Sequence, residues 1–250
     1  MKKRILQYCG AAIIWFLIWH AAAAAVNEPL LLPSPVQTML ALLRLGSTGE
    51  FWNICLTTFM RVAGGILAAA LIGCIGGTLC GFFPALRILF SPILSTIKSA
   101  PVASFIVLLV LWLKRDAVPG IISALVVIPV FWSSLQEGIP SVDRSLLEMA
   151  RSYRIGICRT VRGIYLPSLQ PYLFSAAASS FGMGWKAGVA AEIITLPGIS
   201  IGRRVYIASN NLQTDEVFAW TAAVILLSLT ADCAVSRLFR SKSDSRRIHR

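Results

Sequence analysis

The chain has 250 residues, 56% of them hydrophobic and only 14% charged, with a mean hydropathy of +0.74, which excludes a soluble domain of ordinary composition. A bilayer-spanning helix needs roughly 20 mostly apolar residues, so there is room for about half a dozen spans and no large soluble domain. The formal charge of +12 lies in short clusters beside apolar runs, a pattern that fits anionic lipid and the positive-inside bias and argues against nucleic-acid binding.

In chain order, Met1-Lys2-Lys3-Arg4 precedes an apolar run ending in Ala21 to Ala25. It resembles a secretory signal but is long enough to be a retained first span over about 5–26. Segment 27–50 holds Pro29, Pro33 and Pro35, then Val36, Met39, Leu40, Leu42 and Leu43 at helical spacing, which predicts a short amphipathic helix at the outer face. Further spans are predicted over about 53–81, 90–113, 117–137, 168–194 and 217–237. The basic start places the N-terminus in the cytoplasm, and six crossings return the basic tail 240–250 to the same side. Segment 138–167 then lies inside with Arg144, Arg151, Arg154, Arg159 and Arg162, whereas the outer loops carry Arg44, Lys114, Arg115, Arg203 and Arg204. The expected fold is all-α and polytopic, a single membrane domain over 1–250, with neither repeats nor low-complexity stretches.

The second span carries Gly65, Ala69, Gly73, Gly77 and Gly81 at four-residue intervals, so one helical face lacks bulk and admits a neighbouring backbone. Close packing is the expected use of this ridge, with a sliding surface for gating as the alternative.

Groups for catalysis are sparse. The two histidines, His20 and His249, have no partner at ligand spacing. The six cysteines, Cys9, Cys55, Cys74, Cys80, Cys158 and Cys233, are scattered without a CxxC pair, and in apolar runs cysteine serves as a small hydrophobe. The stretch Gly182-Met183-Gly184-Trp185-Lys186 lacks the spacing of a phosphate loop, so the chain is not expected to hydrolyse ATP, and active transport would draw its energy from a partner. Four charges fall inside predicted spans, Arg61, Lys98, Lys186 and Glu192. Intramembrane charges are costly, which makes each a candidate for a translocation pathway. Lys186 and Glu192 are six apart and do not share a helical face, while Gly182, Gly184 and Gly188 around them suit a helix lining a cavity. The plainer reading has Arg61 and Lys98 snorkelling to an interface and Glu192 facing water near its helix end.

Segment 143–167 is too polar to span and too regular for a loose loop. Leu146, Leu147, Met149, Ala150 and Tyr153 recur at helical spacing, as do Val161, Ile164 and Tyr165 after Gly156. Two short amphipathic helices are predicted, closed at Leu166-Pro167, where the fifth span starts.

At this segment the chain resembles the permeases of type I ATP-binding-cassette importers, with the MetI-like fold, which share a cytoplasmic loop of pattern E-A-A-x3-G-x9-I-x-L-P. Glu148, Met149, Ala150, Ile164, Leu166 and Pro167 fall on that spacing, with Met149 in place of the first alanine. Arg154 stands where the pattern has glycine, and Gly156 follows two residues later, so the turn is expected to shift by two. Leu32-Pro33-Ser34-Pro35, Thr58-x-x-Arg61-Val62-x-x-Gly65, Ala150-Arg151-Ser152-Tyr153, Trp185-Lys186 and Ala191-Glu192 look like landmarks of the nitrate, sulfonate and taurine group.

The resemblance implies a dimer of permeases, a homodimer being expected and a heterodimer the alternative, with two cytoplasmic ATPase subunits that bind ATP and magnesium and an extracytoplasmic substrate-binding protein. The chain itself would bind no cofactor or metal, and its docking contacts would come from Glu148, Ala150, Arg151 and Tyr153. A small anion is the expected solute. A vitamin precursor such as a pyrimidine or riboflavin is the alternative, as are a stand-alone transporter or channel and a lipid-modifying membrane enzyme.

Overall fold

The structure, a computed structural model, describes residues 2–247, with side chains described for 10, 11, 13–234 and 237. The charges of Lys2 to Arg4, the thiol of Cys9, His249 and most of the basic tail therefore lie outside the described side chains. All regular elements among the described residues are helical. They are α1 (Lys2–Val26), α2 (Pro35–Gly46), α3 (Gly49–Phe82), α4 (Pro84–Ser99), α5 (Val102–Trp112), α6 (Val118–Gly138), α7 (Arg144–Ser152), α8 (Ile157–Thr160), α9 (Leu166–Thr195), α10 (Ile201–Asn210) and α11 (Thr214–Arg247). A π-helical turn, Val161–Tyr165, joins α8 to α9.

Prolines open α2 and α4, where their missing N–H costs nothing. The start of α2 is also held by a reciprocal capping box between Ser34 and Gln37. Among the described residues, three stretches are each long and apolar enough to cross a bilayer, α3, α6 and Thr214–Ala234 of α11.

Helices cover all six predicted spans, with two differences in their continuity. The predicted span 90–113 is broken: α4 and α5 meet at a 100° bend. Pro101 explains the break, because it pushes Ala100 into extended backbone (ψ 140°) and cannot donate to the ladder. Conversely, the helix does not begin afresh at Leu166-Pro167. It runs through from α8, with the Leu166 N–H donating to the Val161 carbonyl five residues back.

The chain divides into two compact units. The first comprises Met1–Thr58 and Leu196–Leu227, the second Phe59–Thr195 and Ser228–Arg250. In the first unit, Phe51, Ile54, Cys55, Ile201, Trp220 and Ala223 form the core, closed by Leu42, Leu45, Val205 and Val224. The Ile201 N–H donates to Thr58 Oγ1 at 3.0 Å in this buried setting, which ties α10 to α3. In the second unit the predicted small-residue ridge packs as expected, against α6. A Cβ at Gly65 would collide with the Gly120 carbonyl, one at Gly73 would lie 2.7 Å from Phe131 Cβ, and one at Gly77 2.5 Å from the Trp132 carbonyl oxygen. Ala69, between them, is completely buried.

Candidate functional site

Two places in the second unit gather the residues singled out from the sequence. The first is a buried ion cluster. Glu192, one turn from the end of α9, has no solvent exposure, and its Oε1 lies 2.5 Å from Arg61 Nη1 on α3. Arg61 Nη2 lies 3.6 Å from Asp116 Oδ1, in the turn between α5 and α6, where the Asp116 side chain is 67% exposed. Small residues around the pair hold it in place. Gly120 sits against the Arg61 backbone, and a Cβ at Gly188 would strike Val62 and Ser123. The Ser123 hydroxyl lies 2.9 Å from the carbonyl oxygens of both Pro119 and Gly184. Ala191, next to Glu192, joins Ile106, Val118 and Ile122 in a buried apolar cluster. A paired guanidinium and carboxylate at this depth neutralise each other where an isolated charge would be prohibitive.

Lys98 and Lys186 do not join this cluster. Lys98 Nζ donates to Ser133 Oγ at 2.7 Å, linking the end of α4 to α6. Lys186 is exposed on α9. Gly184 packs against Ile66 and Val127, and Gly188 against Val62. Of the three glycines expected to line a cavity, Gly182 alone has open space where a side chain would go. Aromatic packing fills the neighbourhood, with Phe181 stacked on Trp185 at 6.0 Å and Phe59 tilted against Trp185 at 6.1 Å.

The second place is the segment 143–167. Asp143 caps α7 by accepting the Ser145 N–H at 2.8 Å. The helix ends in a Schellman motif: the Ile155 N–H donates to the Ala150 carbonyl at 2.8 Å and the Arg154 N–H to the Arg151 carbonyl at 3.0 Å. Arg154 takes the left-handed conformation, with φ +50°, whereas Gly156 has an ordinary φ of −62°. The turn has therefore not shifted by two residues. It stays at Arg154, because the hydrogen-bond pattern closing the helix demands a left-handed residue at that step whatever side chain occupies it.

α7 presents two faces. Ala150 is 2% exposed and lines a groove with Leu147, Ile155, Phe82 and Tyr165. The Phe82 and Tyr165 rings meet edge to face at 5.3 Å, which joins the end of α3 to the π-helical turn. Glu148, Arg151 and Arg154 are exposed, as are Met149 and Tyr153, the latter at 78%. Of the four predicted docking contacts, Ala150 thus faces inward. Its small size lets α7 sit close, while Glu148, Arg151 and Tyr153 face out. Ile164 is half-buried, and Leu166 and Pro167 are exposed on the continuous helix.

Residues 65–244 match the family of binding-protein-dependent transport system inner membrane components. The chain belongs to this family. It is the permease subunit of an ATP-binding-cassette importer, a multi-pass membrane protein of a family that works with ATPase and substrate-binding partners. It is similar to the taurine transport system permease protein TauC of Escherichia coli, at 26% identity over 92% of this chain and 85% of that protein. It is likewise 27% identical to the putative aliphatic sulfonates transport permease protein SsuC of Bacillus subtilis, over 89% of this chain and 81% of that one. The bicarbonate transport system permease protein CmpB of Synechococcus elongatus is 27% identical, over 88% and 87% of the two chains.

These relatives favour the importer permease over a stand-alone transporter or a lipid-modifying enzyme. The permease's ion cluster was only half legible from sequence. The sequence marks Arg61 and Glu192 as costly intramembrane charges but carries no sign of their pairing across 131 positions, and neither snorkelling nor exposure describes them. Asp116 was missed: it sits in a short charged stretch, Lys114-Arg115-Asp116, with no spacing signal that links it to Arg61. Among the described residues no three His, Cys, Asp or Glu side chains gather as a metal site.

Proposed function

We propose that this permease works as a homodimer in the bacterial cytoplasmic membrane, with both termini in the cytoplasm and the two units acting as one permease domain. Two ATPase subunits, which bind the ATP and magnesium, grip α7 from the cytoplasm, and an extracytoplasmic binding protein delivers the solute. The chain itself performs no catalysis and holds no cofactor. The observation that carries this reading is the two-faced α7, capped at both ends and lying on the family's loop spacing, with Glu148, Arg151 and Tyr153 turned outward. Behind it, Ala150 and Leu147 share a groove with Phe82 and Tyr165. A push on α7 therefore passes by packing into α3 and α9, the helices that carry Arg61 and Glu192, because a close-packed interior transmits displacement and does not absorb it.

The solute is a small oxyanion. Taurine, sulfonates and bicarbonate in the names of the relatives all carry such a group, and Lys98 and Lys186 supply cations from α4 and α9. Coexpression with the cognate ATPase tests the coupling: Glu148→Ala and Tyr153→Ala should each cut ATPase recovery and lower uptake at least about tenfold, with membrane insertion intact. Unchanged uptake in both would remove the docking role. Uptake of taurine, an alkanesulfonate, nitrate, bicarbonate, a pyrimidine and riboflavin by the intact system, compared in parallel, identifies the solute class. Transport of only the last two would overturn the anion reading.

A further inference from the structure

The first unit carries a polar cleft that the transport pathway and the coupling segment leave unused. It is lined by Glu50, Asn53 and Ile54 of α3, by Gly198 to Ser200, and by Arg203, Arg204 and Ile207 of α10. Its floor is rigid, since Ile54 and Ile201 belong to the buried core and Thr58 holds the start of α10. Its arginines are set in place. Arg203 Nη1 donates to the Gly198 carbonyl at 3.0 Å, and Arg204 pairs with Glu50. Two guanidinium groups against one carboxylate leave the lining cationic, and the first turn of α10, capped by Ser200, adds the positive end of a helix dipole. Between these charges the lining is apolar, with Ile199 48% and Ile207 38% exposed. Arginine is among the residues enriched in protein-binding hot spots.

We infer that this cleft receives a carboxylate side chain of the extracytoplasmic binding protein, which Arg203 clamps against the start of α10. The inference rests on the importer reading, in which the loop between α9 and α10 faces outward. The apolar lining residues Ile54, Ile199 and Ile207 fit the methylene stem of a glutamate or aspartate better than a free inorganic anion, which has no apolar part to bury. Charge pairing of this kind speeds encounter and is weakened by salt.

The test uses the permease assembled with its ATPase in nanodiscs and the cognate binding protein, with affinity measured at low and high salt. Recovery of the wild-type permease with its ATPase checks the importer reading separately. Arg203→Ala should weaken binding at least about tenfold and flatten its salt dependence. Asn53→Asp puts a negative charge at the cleft without removing Arg203, and it should weaken binding at least about threefold. Wild-type affinity in both variants, on complexes that assemble normally, would overturn the inference. So would a deficit that vanishes when anionic lipid is replaced by phosphatidylcholine, since the cleft would then be holding a headgroup.

Discussion

Arg154 holds a left-handed backbone conformation that costs an L-residue with a side chain roughly 1–2 kcal/mol relative to the right-handed one. The cost is met because the Schellman bonds from Arg154 and Ile155 satisfy carbonyls that would otherwise end α7 unpaired. Arg154→Gly should therefore raise the thermal stability of the purified assembly by about 1 kcal/mol and leave coupled uptake intact; a lowered melting temperature would show that the Arg154 side chain makes a compensating contact. The Arg61 and Glu192 pair behaves in the opposite sense. Removing one partner strands a buried charge, so Arg61→Ala or Glu192→Ala should each destabilise the protein by about 3–5 kcal/mol. The double variant should lose less than the sum of the two, as read from thermal unfolding of the three proteins. Asp116, largely exposed, should matter far less: an exposed partner adds about 0–1 kcal/mol.

At the scale of elements, the glycines of α3 separate into two kinds that the sequence does not distinguish. Gly65 meets the Gly120 backbone, which cannot move aside, whereas Gly64 faces open space. Gly65→Ala should force α3 from α6 and sharply reduce the yield of folded protein in detergent. Gly64→Ala should be neutral or slightly stabilising, since alanine favours a helix by up to about 1 kcal/mol over glycine. Equal behaviour of the two would contradict the packed ridge. The four-residue repeat revealed that a smooth face exists but not which neighbour covers it. Proline, too, acted according to context. Pro101 broke a predicted span into α4 and α5, while Pro167 and Pro171 sit within a helix that continues from Ile157. Near Pro167 the ladder shifts to a π-helical bond from Leu166 to Val161, which carries the helix past a residue with no N–H to give.

For the whole molecule, the proposed topology puts segment 143–167 and both ends of the chain in the cytoplasm, and Cys158, exposed on α8, offers a direct test. In a variant keeping only Cys158, a membrane-impermeant thiol reagent should label inside-out vesicles and spare right-side-out ones, and bound ATPase should slow the labelling. Labelling from the outer face would reverse the topology. The amino-acid sequence determined the membrane class, the helical fold and the short helices of segment 143–167, because these follow from local quantities: apolar length, helical period and a short motif with fixed spacing. Tertiary structure alone decided that Glu192 meets Arg61, that Ala150 faces inward, that Gly184 and Gly188 pack against neighbouring helices, and that Glu50 and two arginines share one cleft. Each of those depends on which helices become neighbours across long stretches of chain, and in an apolar chain nearly every helix face can be buried, so hydrophobic pattern cannot choose among the possible pairings.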